Sequence, residues 1–408
     1  MRPNHLNFGI FPPLDSVKRI IGTFHGNKPG SNLIFFAGIH GNEPSGIYAL
    51  QKVLDELQQI QPVFNGNIYA IAGNIQALIL GKRFIEKDLN RIWFPNYIIP
   101  KKERDKVPEY REKMEILRLL IEILDNGRPT YIFDLHTTSS HSMPFISVSD
   151  TLKNRKIIRN IPTHLVLGLE ELLDGPMFSF LSELGLPAVL FEAGQHDAIS
   201  SYENHVAFIW TILTALKCVS KKNIPNYHTF AEILKKNSPG GAKTYEIKFR
   251  HLIADREVFT MREGFVNFQR IEKGELLASN RHGPILSKRD GFIFMPLYQN
   301  QGCDGFFIVK EIKPFWFKVS SRTRKWKLDK TINLLPGIHK IKKSNDTYLI
   351  DKNKARYKAI SLLHLLGYRK VEYNGNKMKM SRRPYDNKSP KIAHVQENFI
   401  KYLDLLTN

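Results

Sequence analysis

Three apolar runs of the chain each lead into residues that can hold a metal ion. Asn32-Leu-Ile-Phe-Phe-Ala-Gly-Ile leads into His40-Gly-Asn-Glu43, and Tyr131-Ile-Phe leads into Asp134-Leu-His136. Leu186-Pro-Ala-Val-Leu-Phe leads into Glu192-Ala-Gly. Runs that are apolar throughout are expected to be strands covered on both faces. In open parallel sheets, ligands gather beyond the carboxyl ends of the strands. Two histidines and a carboxylate make a standard catalytic zinc set, with a fourth position open to water. A second carboxylate nearby would supply a base. The chemistry expected of this constellation is metal-assisted hydrolysis.

Spacing narrows the roles. His40 and Glu43 are separated by two residues, so a tight turn or first helical turn can aim both side chains at one point. Gly38, Gly41 and Gly46 permit that tight path, and Pro44 suits a helix start. Asp134 lies two residues before His136 and shares its strand face. It can either orient the histidine through its second ring nitrogen or make a plain structural hydrogen bond. Arg83-Phe-Ile-Glu-Lys-Asp88-Leu-Asn90-Arg91 combines arginines with an asparagine in an irregular stretch. Such groups can hold a carboxylate in fork geometry or polarise a carbonyl. Composition alone favours a solvated basic loop.

The elements that must position these residues form an alternating pattern. Strands are expected at 32–38, 67–72, 130–135 and 187–192. Helices are expected at 45–59, 110–124 and 202–217, the first with Ile47, Leu50, Val53, Leu54 and Leu57 near one face. Strands alternating with helices imply an α/β fold, a mostly parallel sheet with flanking helices. Ser238-Pro-Gly-Gly marks a change, after which 245–249, 291–298 and 305–310 read as strands of a small all-β domain. Tyr298, at the end of its strand, could reach the site as a hydrogen-bond donor or be a buried structural tyrosine. The expected domains are 1–238, 239–320 and a basic, α-containing extension at 321–408. Helices are expected in that extension at 354–366 and near 391–406.

Bulk composition excludes several classes. The chain has 408 residues and a formal net charge of +21, with two cysteines, Cys218 and Cys303. Two cysteines, both expected to be buried thiols, cannot make a disulfide framework. The first residues lack a charged start followed by an apolar core, and no run approaches the roughly 18 residues of a spanning helix. A soluble cytoplasmic protein without membrane insertion is expected. Residues 321–408 hold 21 Lys/Arg against 7 Asp/Glu, so two thirds of the excess charge lies in the last fifth of the chain. Such a segment can attract anions, but it has no Lys/Arg block or Arg-Gly repeat, and nucleic acid is not the expected partner.

Taken together, His40-Gly-Asn-Glu43, Asp88-Leu-Asn-Arg91, Asp134-Leu-His136 and Glu192-Ala-Gly resemble, in kind and order, the motifs of the succinylglutamate desuccinylase/aspartoacylase family, which is related to zinc carboxypeptidases. The resemblance spans roughly residues 30–310 and leaves out the basic extension. It implies a zinc carboxypeptidase-like fold with one Zn2+ per chain on His40, Glu43 and His136. It implies Glu192 as general base and Arg83 as the group that polarises the scissile carbonyl. Asn90 and Arg91 would hold the substrate carboxylate. Aspartate-acting members carry a further arginine shortly before the catalytic glutamate; residues 177–191 contain none. N-acetylaspartate is therefore not the expected substrate.

The expected function is hydrolysis of the amide bond of an N-acyl amino acid or similar small amide. A carboxypeptidase acting on short peptides is the alternative within the same chemistry. A metal-binding protein recruited to nucleic acid or anionic surfaces through 321–408 is the alternative of another class.

Overall fold

The computed structural model describes residues 11–407, except 13, 95–98, 105, 174, 255–257, 327–331, 333–334, 342–345, 352 and 356. The N-terminal stretch, where no secretory signal is expected, lies outside the described residues. The first strands in chain order are β1 (Ile20–His25), β2 (Lys28–Ala37), β3 (Asn65–Ala72) and β4 (Thr130–Thr138). They are followed by β5 (Phe145–Val148), β6 (His164–Leu167), β7 (Ala188–Gln195) and β8 (Thr244–Leu252). Next come β9 (Thr260–Met261), β10 (Arg270–Ile271), β11 (Leu276–Asn280), β12 (Gly283–Leu286), β13 (Gly291–Phe294) and β14 (Asp304–Ile312).

An eleven-stranded sheet runs in the order β1-β3-β2-β4-β7-β5-β6-β8-β14-β13-β10. Its centre, β3-β2-β4-β7, is parallel throughout. These central strands are apolar on both faces because both faces are covered. Leu33 and Phe35 of β2 pack with Leu50, Val53 and Leu57 of the helix Ser45–Ile60. Ile34 and Phe36 pack on the other side with Leu117, Leu120 and Leu124 of the helix Pro108–Leu124. The helix Ile199–Ala215 joins the first layer through Phe208, Ile209 and Ile212.

Among the strands that the sequence does not show are two short ones in the large sheet. β5 and β6 sit between β7 and β8, and β5 runs antiparallel to β7. Each has only four residues, too few to show a period. Through β8, β14, β13 and β10, the region after residue 238 extends the same large sheet, while β12-β11-β9 forms a separate three-stranded sheet. The division at 238 and 320 is a proposal about chain organisation.

The strand expected over 291–298 stops at Phe294. Met295 takes a positive φ of 48°, its amide donates to Asn267 Oδ1, and Pro296 has no amide to continue a ladder. Tyr298 therefore lies in the loop before β14 rather than at a strand end. Cys303, expected to be buried, is exposed, whereas Cys218 is buried.

The C-terminal extension folds and packs against the α/β body. β15 (Ile338–Lys340), β16 (Thr347–Asp351), β17 (Tyr368–Asn374) and β18 (Lys377–Arg382) form a sheet in the order β15-β16-β18-β17. The last helix, Ile392–Thr407, places Val395, Phe399, Tyr402 and Leu406 in the same core as Trp93, Met114 and Phe180. Tyr402 donates its hydroxyl hydrogen to the carbonyl of Trp93. Among the described residues, no helix is long and apolar enough to cross a membrane.

Part of the positive excess of this extension is consumed in contacts with the body. Arg324 is fully buried between Asp150, at 3.3 Å, and Asp386. Arg369 pairs with Glu171 and Glu246 at 2.5 Å each, and Arg383 with Glu183 at 3.0 Å. Burial opposes the Asp150 carboxylate, but Arg155, Arg324 and Arg369 outweigh that and hold its pKa below the usual carboxylate range.

Arg324→Met leaves Asp386 and Asp150 buried with a cation removed, so it is expected to destabilise the fold by about 3–5 kcal/mol in urea titrations. Asp150 binds protons less readily folded than unfolded. Its contribution is therefore fully present above about pH 4, near the unfolded value, and is lost as pH falls through the depressed folded value. Asp150→Asn is expected to reduce stability at neutral pH and to flatten the acid limb of a stability–pH curve.

Candidate metal centre and active-site cleft

The metal-ligand residues lie near the carboxyl ends of neighbouring strands, His40 and Glu43 just after β2 and His136 among the last residues of β4. After β2, Gly38 adopts φ +69°, a conformation that side chains rarely take. A Cβ on Gly41 would fall 2.1 Å from the Ala77 carbonyl carbon, so only glycine lets this loop lie against the helix Ile75–Leu80. The loop turns His40 and Glu43 inward, and the helix Ser45–Ile60 starts immediately after Pro44. On β4, His136 lies opposite Glu192 of β7 in the parallel ladder.

Four groups converge on the buried Glu43 carboxylate. His40 Nδ1 lies 2.8 Å from Oε1, and His136 Nδ1 lies 3.0 Å from Oε2. The Thr137 amide donates to Oε2 at 3.0 Å, and Arg83 Nη1 stands 3.6 Å from Oε1. One donor atom from each of His40, Glu43 and His136 lies within 4.8 Å of the others. All three residues are buried. This donor set, two imidazoles and a carboxylate, could hold a metal ion and fits the chemistry of zinc. Binding there requires neutral imidazoles, so a metal would displace protons from the cluster.

The second ring nitrogens also lie beside carboxylates. His136 Nε2 is 3.0 Å from Asp134 Oδ1, and His40 Nε2 is 3.1 Å from Asp88 Oδ1. Carboxylates in that position orient ligand histidines. Asp88 also caps the short turn Leu89–Arg91 by accepting the Asn90 amide, at 2.8 Å, and it accepts from Arg83 Nη2 at 3.2 Å.

Charges in this cluster shift one another strongly. Burial opposes the Glu43 carboxylate, but His40 and His136 outweigh it and hold its pKa well below the usual range. Burial also opposes the His136 imidazolium, and Asp134 and Glu43 push its pKa well above the usual value. Glu192 moves the other way. Burial, reinforced by Glu43 and Asp134, raises its pKa well above the usual range against the pull of His136 and Arg83. Its Oε2 is buried with no hydrogen-bond partner among the described residues.

Beside this centre lies a cleft lined by Arg83, Asp88, Arg91, Thr137, His196 and Gln299, with further residues from the loop before β14. That loop is tied down over the centre. Gln299 Oε1 accepts from Asn42 Nδ2 at 3.0 Å and lies 3.3 Å from His196 Nε2. His196 Nδ1 is 2.7 Å from Thr137 Oγ1. Burial lowers the His196 pKa, which favours the neutral ring.

The other expected residues are distributed unequally. Arg91 lines the cleft and pairs with Asp304 at 3.0 Å. Asn90 is not among the described residues that line the cleft, and its Oδ1 accepts the Met177 amide at 2.9 Å. The Tyr298 hydroxyl donates to the Arg262 carbonyl at 2.8 Å and accepts from the Phe265 amide at 2.9 Å. Its own amide donates to Ser139 Oγ at 3.2 Å, so the backbone of Tyr298, rather than its ring, abuts the cleft wall. His196, Gln299 and Asp304 were not singled out from the sequence. His196 had a signal, lying four residues after Glu192 beyond the same strand. Nothing near Gln299 or Asp304 distinguished them.

His40→Ala removes one of three protein donors from a loop whose packing rests on Gly41 and the helix after it. Elemental analysis is expected to show loss of most bound divalent metal, with circular dichroism unchanged. A full complement of metal in that variant would show that His40 is not a ligand.

Residues 29–210 match the family model described as the succinylglutamate desuccinylase/aspartoacylase catalytic domain. The chain is 28% identical over 113 residues to a succinylglutamate desuccinylase of Serratia proteamaculans, covering 27% of this chain and 33% of that one. It is 29% identical over 115 residues to a probable aspartoacylase of Trichodesmium erythraeum, covering 28% of this chain and 38% of that one. The matches thus span only about a third of these curated relatives. Among solved structures, the fold is similar to a succinylglutamate desuccinylase/aspartoacylase of Rhodobacter sphaeroides, with a TM-score of 0.54 and 15% identity, covering 71% of this chain and 88% of that one. A succinylglutamate desuccinylase of Vibrio parahaemolyticus gives a TM-score of 0.51 and 17% identity over 71% and 86%. At these identities the structures speak for the fold alone. The four motifs, gathered at one end of the central strands, all lie within the stretch that matches the succinylglutamate desuccinylase/aspartoacylase catalytic domain.

Proposed function

We propose that the protein is a zinc-dependent amidohydrolase that releases the acyl group from an N-acyl amino acid or a similar small amide bearing a carboxylate. The observation that carries this reading is the meeting of His40, Glu43 and His136 with a buried carboxylate, Glu192, from the adjacent strand. His40, Glu43 and His136 would hold the ion. A divalent ion bound there supplies Lewis-acid activation of water and of the scissile carbonyl.

The chain's own residues account for the remaining steps. Glu192 Oε2 is free of protein partners among the described residues and accepts a proton from the attacking water. The raised pKa of the Glu192 carboxyl favours keeping that proton until the amine leaves, when it is returned. Arg83 is held by Asp88 and Glu43, while its Nε is buried without a partner among the described residues. That N–H would donate to the developing oxyanion. Arg91, also with an unpartnered buried Nε, would hold the substrate carboxylate, with Asn90 setting the turn that carries it. Tyr298 could donate to substrate only by giving up its bond to Arg262.

The loop before β14 supports a small substrate over a peptide. Gln299 bonds to Asn42 and meets His196 directly over the metal-ligand loop, which leaves little passage for a longer chain. A carboxypeptidase would need that passage open. The proposed setting is the cytoplasm, and no observation favours recruitment to nucleic acid.

Glu192→Gln keeps the side chain's size and removes the base. Turnover is expected to fall by about 10²–10⁴-fold while the metal content holds. A variant that keeps its activity, or that loses the metal, would show Glu192 to be misassigned. A panel of N-acyl amino acids and their carboxamides tests the substrate side. The carboxamide is expected to be the poorer substrate because it leaves a buried arginine donor unpaired. Equal rates would remove Arg91 from the binding site.

A further inference from the structure

Charge within the cleft is close to balanced before any substrate enters. Its lining contains two arginines, Arg83 and Arg91, and two aspartates, Asp88 and Asp304. Arg83 is already engaged by Asp88 at 3.2 Å and faces Glu43 at 3.6 Å. Asp304, at the start of β14, stands between two guanidinium groups. Its Oδ2 accepts from Arg91 Nη2 at 3.0 Å, and its Oδ1 accepts from Arg250 Nε at 2.6 Å. The other contacts of this pair are also internal: Arg91 Nη1 donates to the Asn90 carbonyl at 3.0 Å, and Arg250 Nη1 donates to the Leu172 carbonyl. Asp304 thus occupies the arginine surface that a second substrate carboxylate would need.

The remaining wall is uncharged, with Leu173, Met295, Leu297 and Phe307 beside its polar groups. Thr137, Ser139, Ser140, His196 and Gln299 line it. His196 is bonded at both nitrogens, to Thr137 and Gln299. A hydroxyl or amide can be satisfied against such a wall. An additional carboxylate would be buried without a counter-charge, at a large desolvation cost.

We propose that the substrate is an N-acyl amino acid with one carboxylate and an uncharged side chain, and that Asp304 is the specificity-determining residue that excludes dicarboxylates by neutralising Arg91 and Arg250. The inference rests on the deacylase function proposed above and names its substrate class. Both cleft arginines have a buried Nε without a partner among the described residues; Arg91 Nε would receive the single carboxylate, and Arg83 Nε would serve the scissile carbonyl.

The test uses the full-length, metal-containing protein and two readouts. In the first, kcat/KM is compared for N-acetylasparagine against N-acetylaspartate and for N-acetylglutamine against N-acetylglutamate. In the second, calorimetric titration compares binding of the free product amino acids of the same pairs. The neutral member is expected to be favoured by about tenfold or more in both. Asp304→Asn keeps the shape while removing the charge, and it is expected to shift both ratios about tenfold toward the dicarboxylates. A wild-type preference for the dicarboxylates overturns the inference and leaves the deacylase function standing. So does an unchanged ratio in an Asp304→Asn protein whose circular dichroism matches the wild type. Should that variant not fold, the wild-type comparison decides alone. Absence of turnover on every N-acyl amino acid tried overturns the deacylase function itself, and this inference with it.

Discussion

The carboxylate of Glu43 ties together segments that are far apart in the chain. It is reached by His40 from its own loop, by His136 and the Thr137 amide from the end of β4, and by Arg83 from the stretch that carries Asp88 and Arg91. A buried carboxylate without such partners would be costly, so these segments are held in register by the same group that completes the donor set. That dependence joins stability to chemistry. Asp88 bonds the second nitrogen of His40 and also sets the turn on which Arg91 stands, while Asp134 lies 3.0 Å from the second nitrogen of His136.

A second layer of constraint comes from the C-terminal extension. Its last helix fills the hydrophobic core beside Trp93 and Phe180, and Tyr402 bonds the Trp93 carbonyl. Trp93 follows Arg91 by two residues, so the extension buttresses the segment that brings Arg91 to the cleft. Arg324, Arg369 and Arg383 fasten the same extension to acids of the body. A charge excess that invites an electrostatic explanation in the sequence is thus in part internal, satisfied by Asp150, Glu171, Glu246 and Glu183. Buried pairs of this kind specify a docking geometry more than they add net stability.

The cleft itself is assembled from both halves of the chain. Arg83, Asp88, Thr137 and His196 come from the α/β body, whereas Gln299 and Asp304 come from the loop and strand that follow β13. The turn at Met295 makes this possible. By ending the strand at Phe294 it redirects the chain across the metal-ligand loop, where Gln299 meets Asn42. Tyr298, conspicuous as an aromatic near the site in sequence, has its hydroxyl bound to Arg262 and Phe265, away from the cleft.

The amino-acid sequence by itself determined the central strands, the helices that cover them and the positions of His40, Glu43, His136 and Glu192 near strand ends. These are local properties. Apolar runs bounded by glycine, a 3.6-residue period and the position of a donor at the end of a run are all written within a dozen residues. Only the tertiary structure decided the rest. The four-residue strands β5 and β6 carry no period and are held by their neighbours in the sheet. Cys303 and Tyr298 take their exposure and partners from a loop that turns at the positive φ of Met295. Asp304 meets Arg91 across a sequence separation of 213 residues and Arg250 across 54. Ion pairing of that kind depends on distance in space, and no local pattern encodes it.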